Sequence, residues 1–78
     1  MILPSKHLSG DRALLTIGAE VLALLREPKT VSRLWNDVKR RRVSMPVNYD
    51  WFVLSLDLLF AMGLVDIERG RVARIEKP

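Results

Sequence analysis

The sequence predicts a small, mainly α-helical domain closed by a β-hairpin. Three observations predict it. Apolar residues recur at three- and four-residue steps in three successive windows. Proline, glycine and small polar residues separate those windows. The last dozen residues instead alternate apolar and charged side chains around Arg69-Gly70.

Residues 1–10, Met-Ile-Leu-Pro-Ser-Lys-His-Leu-Ser-Gly, read as an extended N-terminal arm, because Pro4 and Gly10 resist helix. The domain proper then covers residues 11–78. Ser9 or Asp11 can cap a first helix over about 12–27. Leu14, Ile17, Val21, Leu24 and Leu25 form its apolar face, widened by Leu15 and Leu22, and Pro28 stops it. Gly18 on this helix lets another element pack closely.

Thr30 suits the cap of a second helix, about 31–42. Val31, Leu34, Trp35 and Val38 share one stripe, and Lys39, Arg40, Arg41 and Arg42 fill the last turn, where positive charge suits the helix dipole. Pro46 breaks the chain. Asn48 can cap a third helix, about 49–62, and Gly63 supplies a left-handed stop. Residues 64–76 form the hairpin, with Val65, Ile67, Val72 and Ile75 as its apolar positions. Ile2-Leu3 could add a third strand. Three helices and a hairpin in this order make a winged helix-turn-helix-like domain. The competing arrangement is an α-hairpin dimer with a disordered tail.

Composition narrows the function. The 78 residues include no cysteine and one histidine, and 49% are apolar. That excludes a disulfide-stapled miniprotein, a zinc finger and a disordered tail. A domain this short has a marginal core, so a partner subunit is a natural source of stability. The 13 basic and 9 acidic residues give a net charge of +4 and a pI near 10.1, which permits nucleic-acid contact without requiring it. No leader-like or membrane-spanning stretch is evident, and the expected location is the cytoplasm.

The third helix carries the sharpest signal. A helix that reads the major groove needs Arg, Lys, Asn, Gln or Ser outward. From Asp50 to Met62 there is no Lys or Arg, ten of thirteen residues are apolar, and the only charges are Asp50 and Asp57. A three-helix domain covers roughly half of such a helix, and the remainder is a patch large enough to mark an interaction site. At about 25 cal/mol per Å², a few hundred Å² of it represents several kcal/mol of unused burial. Trp51, Phe52, Leu56, Leu59 and Phe60 suit the core. Trp51, Leu54, Leu58 and Met62 are the expected protein interface.

Between Arg26 and Arg42 stand seven basic and two acidic residues. Lys39, Arg40, Arg41 and Arg42, together with Arg69, Arg71 and Arg74 on the hairpin, are candidates for phosphate contact or for an acidic partner surface. A solvated helix end is the third reading. Any DNA contact here would be directed to the backbone and tolerant of sequence. Chemistry has little support. His7 stands alone beside Lys6, Asp50 and Asp57 lack a third ligand, and Gly10, Gly18, Gly63 and Gly70 form no phosphate-cradling pattern. No enzyme activity, metal or cofactor is expected.

Four segments resemble a known family: residues 1–8 (Met-Ile-Leu-Pro-Ser-Lys-His-Leu), 11–19 (Asp-Arg-Ala-Leu-Leu-Thr-Ile-Gly-Ala), 30–35 (Thr-Val-Ser-Arg-Leu-Trp) and 49–65, from Tyr49-Asp50-Trp51-Phe52 to Gly63-Leu64-Val65. Together they resemble the small middle component of bacterial ABC-three-component systems, related to the Lamassu type. The resemblance implies an accessory subunit in defence against phage or plasmid DNA. It would join an ATPase of the structural-maintenance-of-chromosomes (SMC) type to an effector, often a nuclease. It carries over no catalytic residue. Self-association, a winged-helix DNA-binding regulator and an antitoxin-like inhibitor stand as alternatives.

Overall fold

The computed structural model describes the backbone of residues 4–42 and 47–76, with side chains from residue 12 onward in those ranges. The elements are α1 (Pro4–Leu24), α2 (Val31–Arg41), α3 (Tyr49–Ala61), β1 (Val65–Glu68) and β2 (Arg71–Arg74). Three helices and a two-stranded antiparallel hairpin thus follow one another as the periodicity predicts.

The N-terminal segment departs from expectation. Helix α1 begins at Pro4, so residues 4–10 are helical rather than an extended arm. Proline suits a first helical position, where its missing N–H has no intrahelical partner to lose. Gly10 inside the helix costs about 1 kcal/mol but does not stop it. Ser9 and Asp11 therefore lie within the helix rather than capping it. The third strand expected at Ile2-Leu3 falls in residues 1–3, outside the described residues.

Another residue pairs with the hairpin. The Lys29 N–H donates to Val72 O (3.0 Å), and the Val72 N–H donates to Lys29 O (2.7 Å), an isolated antiparallel bridge. This explains why α1 ends at Leu24 and not at Glu27. Pro28 disfavours helix in the residue before it, and residues 25–28 must turn the chain to bring Lys29 alongside β2. Helix, bridging residue, helix, helix, hairpin is a winged-helix-like arrangement.

The other boundaries match their chemical signals. Thr30 Oγ1 accepts from Arg33 N (3.1 Å) and Asn48 Oδ1 from Trp51 N (2.9 Å), so both expected caps form. Gly63, at φ 73°, closes α3. Its N–H donates to Phe60 O (3.0 Å) and the Leu64 N–H donates to Leu59 O (2.9 Å), the bonding pattern of a Schellman stop. The hairpin pairs Glu68 with Arg71 across two residues, Arg69 and Gly70, both at positive φ, as a type I′ turn requires.

The core is built from Ile17, Val21 and Leu25 of α1 and its end, Leu34 and Val38 of α2, Phe52, Leu56 and Leu59 of α3, and Val65 and Val72 of the hairpin. Helices α1 and α3 meet closely where Gly18 lies under Leu59. Ser55 is fully buried beside them, and its hydroxyl donates to Leu14 O (3.2 Å). Leu15, expected to widen the buried face of α1, is instead 60% exposed. It lies two residues before the buried Ile17, so the helix turns it away from the core.

Candidate protein-docking face

Helix α3 divides into two faces at about 3.6 residues per turn. Phe52, Ser55, Leu56 and Leu59 point inward and are buried. Asp50, Leu54, Asp57 and Ala61 are exposed on the opposite side. Leu54 is 51% and Met62 54% exposed. Trp51 and Leu58 are half-buried at one margin of this face, and Trp51 packs against the core. The four expected interface residues thus divide into two open apolar positions, Leu54 and Met62, and two margin positions, Trp51 and Leu58. Val53 and Phe60, also half-buried, pack on the core from the other margin.

Sequence reasoning missed the exposure of four further apolar side chains, Leu15, Tyr49, Ile67 and Ile75. Tyr49 belongs to a local aromatic cluster. Its ring is 5.2 Å from Trp35 and 5.9 Å from Phe52, and Trp35 and Phe52 are 5.2 Å apart. Spacing alone could have flagged Tyr49, one turn from Trp51–Phe52, but not the tertiary contact with Trp35.

The basic candidates differ in their partners within the chain. Arg42 is drawn to α1, where its Nε lies 3.0 Å from Glu20 Oε1 and donates to Oε2 at 3.1 Å. Lys39 Nζ stands 5.2 Å from the Trp35 ring centroid, within cation–π range. Arg40 and Arg41 are exposed in the last turn of α2. Two of the hairpin arginines line surface grooves. Arg71 lines a surface groove with Pro28, Thr30 and Arg33 near the start of α2. Arg69 shares a neighbouring groove with Arg71 and Glu68. Arg74 donates to Leu22 O (3.3 Å) on α1. Several of these cations therefore have partners within the chain, and Glu27 and Glu68 sit among the rest.

Lys29, beside that groove, pairs with Asp37 at 2.7 Å, and Arg33 approaches the same carboxylate at 3.8 Å. The hydrogen bond from Lys29 holds the Asp37 carboxyl below its ordinary value, reinforced by the positive charges of Lys29, Arg33 and Arg40 against the opposing effect of burial. Among the described residues no group of three or more His, Cys, Asp or Glu could hold a metal ion, and no helix is long and apolar enough to cross a membrane.

Fold and surface together define a small winged-helix-like module whose third helix turns apolar and acidic side chains outward. A family model, ABC-three-component (ABC-3C) system middle component 6, matches residues 3–75. The chain belongs to this family, and as a middle component it is an accessory part of a multi-component system whose other subunits are its partners. No curated protein and no solved structure matches it.

Proposed function

We propose that this chain is a non-enzymatic adaptor that docks onto a larger subunit of its ABC-three-component system through the outward face of α3. One observation carries the reading: the helix that a DNA-reading winged helix would place in the major groove exposes Leu54 and Met62 together with Asp50 and Asp57 and bears no Lys or Arg. Phosphate repels that face, whereas protein surface can bury it. In the form the family resemblance suggests, the adaptor joins an SMC-type ATPase to an effector in bacterial antiviral defence. DNA contact, in this reading, is an auxiliary, backbone-directed role of Arg40, Arg41 and the hairpin. It works in the cytoplasm, without a cofactor.

The test is co-purification with the companion subunits expressed from the same operon. Leu54→Glu should abolish recovery of the complex while helix content by circular dichroism stays at the wild-type level, because Leu54 is half-exposed and glutamate is a good helix former. Recovery of the Leu54→Glu complex at wild-type yield rejects the α3 face. Tight, sequence-selective binding of duplex DNA by the isolated chain would favour the regulator instead.

A further inference from the structure

Resting on that reading of α3, we infer that the partner presents an apolar amphipathic segment flanked by Lys or Arg, and that this face does not pair with a second copy of the chain. The outward face of α3 has two unlike flanks. On the helical wheel, Asp50 and Asp57 fall on one side, Leu58, Met62 and Trp51 on the other, with Leu54 and Ala61 between. The two carboxylates are seven residues, about 10 Å, apart along the helix. Neither has a hydrogen-bond or ion-pair partner among the described residues, whereas Glu20 and Asp37 are both paired within the chain. The face is thus an acidic, apolar island on a chain of net charge +4.

Symmetry decides against self-pairing. A two-fold antiparallel contact between two α3 helices brings like flanks together. Centred on Leu54, it sets Asp57 of one copy level with residue 51 of the other, one residue from that copy's Asp50. Four carboxylates then crowd one margin, and no basic residue lies between Asp50 and Met62 to offset them. A parallel pair lays each acidic flank on the other copy's Leu58 and Met62, desolvating carboxylates against apolar surface. A foreign segment with an apolar ridge and two basic side chains about two turns apart satisfies both flanks, and complementary charge also speeds encounter.

The experiment uses the complex assembled with its companion subunits. A photo-cross-linking residue replaces Ala61, and the Asp50→Lys/Asp57→Lys and Asp50→Asn/Asp57→Asn double variants are compared with Leu54→Glu. The cross-link should map to a companion segment with at least two Lys or Arg beside its apolar stripe. The double-lysine variant should lose at least tenfold in recovered complex at 0.15 M salt and the double-asparagine variant less, with the free chain still folded by circular dichroism, although Asp50→Lys removes a favourable charge from the first turn of α3 and lowers its thermal midpoint by a few degrees. A cross-link to a second copy, a segment without basic residues, or full recovery of the double-lysine complex overturns the inference. If Leu54→Glu is lost and the double-lysine complex is retained, only the partner's charge is wrong. If both are retained, the docking face itself is wrong.

Discussion

Glu20 of α1 and Arg42 at the end of α2 form an ion pair whose side chains are each only 18% exposed. The contact ties the two helices together across 22 residues of chain. It also withdraws Arg42 from a run of four cations that in sequence looks uniformly available. Truncating one partner leaves the other charge half-buried, so Glu20→Ala and Arg42→Ala should each lower stability by about 1–3 kcal/mol. The double variant should cost less than the two single losses added, by about 1 kcal/mol of coupling. Urea unfolding of the four proteins measures this. Strict additivity would show that the pair contributes nothing as a pair.

The glycines separate two physical roles. At Gly18 an added Cβ would stand 3.4 Å from Leu59 Cδ2, an ordinary contact with a movable side chain. Gly18→Ala should therefore stabilise the domain by up to about 1 kcal/mol through helix propensity, raising the melting temperature by roughly 4–8 °C per kcal/mol. Gly18→Leu, which must displace Leu59, should lower it. At Gly63 and Gly70 nothing lies within 4 Å, but both have positive φ. Alanine there should cost about 1–2 kcal/mol each from the backbone alone. A Gly18→Ala protein that melts below wild type would place the close approach of α1 and α3 in the backbone rather than in Leu59.

These residues also show what the sequence made legible. Thr30, Asn48 and Gly63 announce their helix ends because capping is local: donor and acceptor lie within one turn of chain. The buried stripe of α3 follows from its spacing, and the absence of Lys and Arg there is plain from composition. Pro4 misleads, because proline breaks a helix interior yet suits a helix start, and the residues before it do not distinguish the two. Lys29 gives no sign of bridging Val72, since one residue has no period. The fate of Arg42, Arg74 and Lys39 is set by Glu20, Leu22 O and Trp35, contacts whose geometry depends on how α1, α2 and the hairpin lie in space. Tertiary pairing of charge was therefore the part hidden from a linear reading.

Asp37 gives the fold a predictable acid limit. Its carboxylate accepts from Lys29 Nζ at 2.7 Å, and Lys29 is the residue whose backbone bridges to Val72. The ion pair thus anchors the turn between α1 and α2 against the hairpin. Because the folded-state pKa of Asp37 is lowered, chiefly by the Lys29 hydrogen bond, the folded form binds that proton less readily than the unfolded chain. The stabilisation is fully present above the unfolded value, about 3.9, and is lost as pH falls through the lower folded value. Stability from this group should therefore be flat near neutrality and decline below about pH 4. Asp37→Asn should be less stable than wild type at pH 7, and the gap should narrow steadily toward pH 2. Urea titrations at a series of pH values read the gap directly. A difference between the two proteins that stays constant across that range would show that Asp37 acts there through packing and not through its charge.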